Sequence, residues 1–101
     1  MKVKTLKALI ADYNVSFDAS TVMNALIKSG YAEVQEYLSS TGSGEIKSFK
    51  RLTVLGEQFG ENKEGFGLSI KTEARFYDSK FPLLLSVVVE QLKKEVTAIQ
   101  S

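Results

Sequence analysis

The sequence contains no cysteine and no histidine, and a single proline in 101 residues. Without cysteine there is no disulfide framework and no thiolate metal site, which suits a reducing, cytoplasmic setting. Without histidine the chain lacks the commonest general base at neutral pH and the commonest metal ligand. Lone serines with no histidine beside them carry no hydrolase signature. Gly56-x-x-x-Gly60 and Gly65-x-Gly67 lack the lysine and the strand-to-helix setting of a phosphate loop. Glu57, Glu61, Glu64 and Asp78 could in principle pair as catalytic carboxylates, but they lie in an ordinary acidic, solvated stretch. No enzyme class is favoured, and no cofactor or metal is expected.

Long apolar runs are missing as well. No segment approaches the 18 or so consecutive apolar residues of a membrane-spanning helix. Met1-Lys2-Val3-Lys4 has the look of a signal-peptide start, but Lys7 and Asp12 break the apolar stretch behind it. An excess of one charge is also lacking: 13 Lys/Arg oppose 12 Asp/Glu, a net +1. That excludes a uniformly basic surface and confines any nucleic-acid contact to local patches. Residues 1–52 carry seven Lys/Arg against five Asp/Glu, and residues 53–101 carry six against seven. What is present is 44% hydrophobic residues, enough for one core and one domain spanning residues 1–101.

Along the chain, Val3, Leu6, Leu9, Ile10 and Tyr13 recur three or four apart and predict a helix over 3–13. Asn14 to Phe17 break the pattern as a link. Asp18 then offers a carboxylate N-cap to a second helix, with Val22, Met23, Leu26 and Ile27 facing the core and Gly30 stopping it. Two alternating runs flank Ser39-Ser40-Thr41-Gly42-Ser43-Gly44 and predict a hairpin, with Ala32, Val34, and Tyr37 or Leu38 inward on the first strand and Ile46, Phe49 and Leu52 on the second. Thr53 can cap a short helix closed by Gly60, and Glu61 to Gly67 read as a loop. Leu68, Ile70 and Thr72 could form one more strand. Ser79 caps a long last helix, with Pro82 tolerated in its first turn and Phe81, Leu85, Val88, Leu92, Val96 and Ile99 as its packing stripe.

Helix, link, helix and β-hairpin is the order of a winged helix-turn-helix. The expected fold is therefore α+β: a helix-turn-helix over 1–30, a wing hairpin over 31–52, a short helix with loop and strand over 53–78, and a C-terminal helix over 79–100. The second helix turns Ser20, Thr21, Asn24 and Lys28 away from its core face, short hydrogen-bonding groups and one cation that suit major-groove readout. An ordinary solvated helix face has the same composition. Lys47, Lys50 and Arg51 on the returning strand can neutralise phosphates, or simply protect a sheet edge against pairing; Glu33, Glu36 and Glu45 on the same hairpin oppose the first use. Phe81 to Val89 is apolar nearly all round, which predicts burial on more than one side: the helix either fills the monomer core alone or, the favoured reading, makes a homodimer contact through Leu84, Val87 and Gln91.

The spacing Ser20-x-x-x-Asn24-x-x-Ile27-x-x-Gly30, followed by Arg51-Leu52-Thr53-x-x-Gly56-x-x-Phe59-Gly60-x-Asn62, resembles a winged-helix domain found at the C-terminal end of phage antirepressors and related prophage regulators. Asp78-Ser79-Lys80-Phe81 before a terminal aliphatic helix is similar to the end of such domains. The resemblance spans roughly residues 5–90. It implies binding of double-stranded DNA, or contact with another regulator, in a phage or prophage setting. Such a domain would stand here without an N-terminal effector region, so antirepression itself is not carried over. The expectation is a small regulator of transcription or replication that reads DNA. The alternative is a protein-interaction module on the same fold, such as a phage-encoded inhibitor of a host protein.

Overall fold

The computed structural model describes residues 2–38, 44–64 and 72–100. Among the described residues ten elements follow one another: β1 (Val3–Lys4), α1 (Leu6–Asp12), α2 (Ala19–Lys28), β2 (Ala32–Leu38), β3 (Ile46–Leu52), a 3-10 turn (Leu55–Gln58), β4 (Gly60–Glu64), β5 (Thr72–Tyr77), a second 3-10 turn (Asp78–Lys80) and α3 (Phe81–Gln100). Two antiparallel sheets result, β1-β5-β4 and the β2–β3 hairpin. The fold is α+β with a long C-terminal helix, as the hydrophobic periodicity implies. No described helix is long and apolar enough to cross a membrane.

Local chemistry explains where the elements begin. The first helix starts at Leu6 rather than Val3, because the Thr5 hydroxyl accepts from the Ala8 N–H and caps it. Val3 and Lys4 pair instead with Tyr77 and Phe76 of β5. Asp18 caps α2 as expected, accepting from the Thr21 N–H at 2.7 Å. Past the Ser29 C-cap, Gly30 takes φ 89°, the left-handed value that turns the chain toward β2.

The stretch after the hairpin departs further from expectation. The Thr53 hydroxyl accepts from the Gly56 N–H at 3.2 Å, but Val54 takes the N-cap position and the helix is a single 3-10 turn. Gly60 opens a strand, and Glu61 to Glu64, read as loop, continue it. Polar β4 escapes a periodicity search because its stability comes from backbone pairing with β5, while Gly60 and Asn62 are its inward residues opposite Phe76 and Ala74. A Cβ on Gly60 would strike the Arg75 carbonyl oxygen, so the close approach of β4 and β5 requires glycine. The expected strand over Leu68–Thr72 shares only Thr72 with β5, and residues 65–71 lie outside the described residues.

The core lies between α1, α2, α3 and the inner face of β5, where Leu9, Leu26, Leu52, Phe76, Phe81 and Leu84 are fully buried. On α3 the fully buried stripe is Phe81–Leu84–Val88; of the expected stripe, Leu85 and Leu92 pack partly buried against the core, while Val96 and Ile99 do not. Val96 and Ile99 are 52% and 83% exposed. Full burial removes Leu84 from the expected dimer surface. Leu84 is spent entirely on its own core, Val87 packs against that core, and Gln91 bonds to Glu95 on the same helix. Replacing Leu84 by Ala should cost about 2–5 kcal/mol of folding stability. Urea unfolding checks it; a cost below about 1 kcal/mol would place Leu84 outside the core.

Candidate nucleic-acid interface

Ser20, Asn24 and Lys28 are spaced four apart on α2, so they line one solvent-facing row beside half-buried Thr21. The opposite face carries Val22, Ala25 and Leu26 into the core. The row seen in the sequence is therefore real, but Lys28 is not free. Its Nζ lies 3.1 Å from Glu95 Oε1 on α3, and Gln91 Nε2 donates to Glu95 Oε2 at 3.3 Å. The hydrogen bond from Lys28, then that from Gln91, hold the Glu95 carboxyl below its ordinary value.

The hairpin register sets Ala32 opposite Leu52, Glu33 opposite Arg51, Val34 opposite Lys50, Gln35 opposite Phe49, and Tyr37 opposite Lys47. Because successive residues alternate faces, Lys47 and Arg51 share one face and Lys50 occupies the other. The three cations therefore form no single stripe. Arg51 is engaged within the hairpin: Nη1 donates to Gln35 Oε1 at 3.2 Å, and Nε sits 3.7 Å from Glu33 Oε1. Lys47 and Lys50 are exposed and without an ion pair among the described residues.

Beyond the Ala32–Leu52 pair the hairpin leaves the body. Val34, Leu38 and Ile46, expected to point inward, are 51%, 70% and 63% exposed. Phe49, on the opposite face, is buried through an edge-on contact with Tyr37 at 5.7 Å. The result is a two-stranded arm about 20 Å long. Its Ser/Gly tip over residues 39–43, assigned to the wing by sequence, lies outside the described residues.

The base of this arm is held by groups that sequence reasoning noticed as a motif without assigning them a role. Asn62 Oδ1 accepts from the Leu52 N–H at 2.8 Å, and its Nδ2 donates to the Leu52 carbonyl at 3.0 Å. One side chain thus satisfies both backbone groups of a fully buried residue. The Thr53 hydroxyl donates to the Gly30 carbonyl at 2.7 Å, and the Thr53 N–H donates to the Tyr31 carbonyl at 3.1 Å. A Cβ on Gly56 would collide with that Tyr31 carbonyl oxygen. Leu52, Thr53, Gly56, Phe59, Gly60 and Asn62 are therefore one joint between α2, the arm and the second sheet.

A second polar cluster ties α1 to the start of α3. The Tyr13 hydroxyl donates to Asp78 Oδ1 at 2.6 Å, and Lys4 Nζ reaches Asp12 at 2.7 Å and Asp78 at 3.5 Å. The Tyr13 ring packs on Phe81 at 5.1 Å. The Tyr13 hydrogen bond holds the Asp78 carboxyl below its ordinary value and pushes the Tyr13 hydroxyl above its own. Asp78 is thus a structural clasp here, and among the described residues no three Asp or Glu side chains gather to hold a metal ion.

The signs follow. A depressed carboxyl contributes stability above its unfolded value of 3.8 and loses it as pH falls through the lower folded value. The raised Tyr13 contributes below its unfolded value of 10.0 and loses its contribution as pH rises through the higher folded value. In Asp78→Asn the acid-side loss of urea stability should be smaller than in the wild type; identical pH profiles would dismiss the clasp.

No family model, curated protein or solved structure matches the chain.

Proposed function

We propose that the chain is a small DNA-binding regulator of phage or prophage type, a winged helix-turn-helix whose α2 enters the major groove while the β2–β3 arm follows the phosphate backbone. One observation carries this reading. The arm follows α2 after a three-residue link, is clamped at its base to the end of that helix, and projects with lysines on both faces that have no ion pair among the described residues. A ribbon lying between two phosphate strands needs cations on either side, and Lys47 and Lys50 supply them. Ser20, Thr21 and Asn24 are the base- and phosphate-contacting groups; Asn presents the donor–acceptor pair that matches adenine. Lys28 and Arg51 contribute less than their charges suggest, because Glu95 and Glu33 already compete for them.

A salt-titrated binding assay on duplex DNA tests the proposal. Replacing Lys47 and Lys50 by Ala should weaken binding to every duplex and flatten the salt slope by about one per lost contact. Asn24→Ala should cost about 1–3 kcal/mol on a preferred site and little elsewhere. Glu95→Gln should release Lys28 and tighten binding. Absence of binding at low salt, or an unchanged slope in the lysine variant, would contradict the reading.

The protein-interaction alternative draws on a different observation: Val34, Leu38 and Ile46 form an exposed apolar strip on one face of the arm. Such a strip suits a protein surface better than a phosphate backbone. If the lysine variant leaves DNA binding untouched, that strip becomes the working surface.

A further inference from the structure

The last two turns of α3 are anchored differently from the rest of the helix. Phe81, Leu84 and Val88 are buried and Leu92 leans on the core, but no described residue beyond Leu92 joins it. From Lys93 to Gln100 every residue except Glu95 is exposed. Glu95 differs because two side chains hold its carboxylate: Lys28 Nζ lies 3.1 Å from Oε1, and Gln91 Nε2 donates to Oε2 at 3.3 Å. Gln91 stands one turn back on the same helix, so it fixes the carboxylate and leaves Oε1 to the ammonium group. Lys28 in turn is the last residue of α2 and the end of the row Ser20–Asn24–Lys28. One ion pair therefore joins the lightly anchored end of α3 to the cation of the candidate reading face.

We infer that this ion pair is an autoinhibitory latch: Glu95 occupies Lys28 in the free protein, and a backbone phosphate of bound nucleic acid displaces Glu95 and releases α3 beyond Leu92. The inference rests on the nucleic-acid reading of α2. Phosphate and carboxylate oxygens are the same kind of charged acceptor to an ammonium group, so they compete for it. With phosphate on Lys28, Glu95 would face a like charge at close range, and the turn that carries it has no buried side chain to keep it there. The Lys28 and Glu95 side chains are 58% and 34% exposed, so the pair is solvated and weak enough for one phosphate to open. Such coupling is reciprocal: whatever the latch subtracts from nucleic-acid affinity, nucleic acid subtracts from the docking of α3.

Amide hydrogen exchange and duplex binding of the full chain test the two halves. Without nucleic acid, Lys28→Ala should lower the protection of the Glu95, Val96 and Thr97 amides about two- to fivefold and leave those of Val87 to Gln91 unchanged. A duplex of random sequence, added to the wild type at low salt, should lower protection at the same three amides. Glu95→Gln should bind that duplex about two- to fivefold more tightly than the wild type, and the gain should vanish when Lys28→Ala is added. Protection indifferent to Lys28→Ala, or raised at the three amides by duplex, would overturn the latch. So would wild-type binding that Glu95→Gln leaves unchanged, or a gain that persists without Lys28. Failure of both the wild type and Glu95→Gln to bind would instead overturn the nucleic-acid reading, and the latch with it.

Discussion

The structure depends on the pair of hydrogen bonds by which Asn62 grips the backbone of Leu52. Leu52 is fully buried at the foot of the hairpin, yet its N–H and carbonyl point away from β2 toward the second sheet. Left unpaired there, each would carry a desolvation cost of about 1–3 kcal/mol. Asparagine is the side chain that answers both at once, offering an acceptor and a donor side by side as another strand would. Because Asn62 belongs to β4, this contact turns two separate small sheets into one mechanical unit. Thr53, bonded to Gly30, extends the joint to the end of α2, and Gly56 permits the close approach that Tyr31 makes to it. The direction of the arm relative to the helix follows from these few groups.

Electrostatics divides the cations into those used for assembly and those left over. Lys4 closes the cluster of Asp12 and Asp78, Lys28 joins α2 to α3 through Glu95, and Arg51 braces the arm through Glu33 and Gln35. These pairs are partly exposed, so each is a modest contributor to stability. They nevertheless set which charges a ligand would meet first. With net charge near zero, the proposed nucleic-acid contact has to be local, and Lys47 and Lys50 of the arm are the cations proposed for it.

Much of the fold was legible in the sequence where physical signals are local and redundant. Asp18, the 3.6-residue pattern and Gly30 define α2 from three independent directions, and the hairpin strands were placed close to where they lie. Legibility failed where a residue's fate is decided by distant partners. Val3 alternates like a helical residue but is captured by Tyr77, more than seventy positions away. The strand β4 has too little apolar content to announce itself. On α3 nearly every early position is apolar, so periodicity could not say whether Leu84 or Leu85 is the fully buried one, and Leu84, expected at a dimer surface, lies in the core instead. In the candidate interface, the row Ser20–Asn24–Lys28 was readable from spacing alone. The Glu95 partner of Lys28 and the division of the hairpin cations between two faces needed tertiary register.

Native-state amide hydrogen exchange of the wild type and Asn62→Ala addresses the joint most directly. The Leu52 N–H should lose most of its protection in the variant, and the amides of β2 and β3 should follow it. The Tyr77 N–H, bonded to the Phe59 carbonyl in the other sheet, should keep protection closer to that of the wild type. Protection at Leu52 that survives removal of the Asn62 side chain would contradict the account.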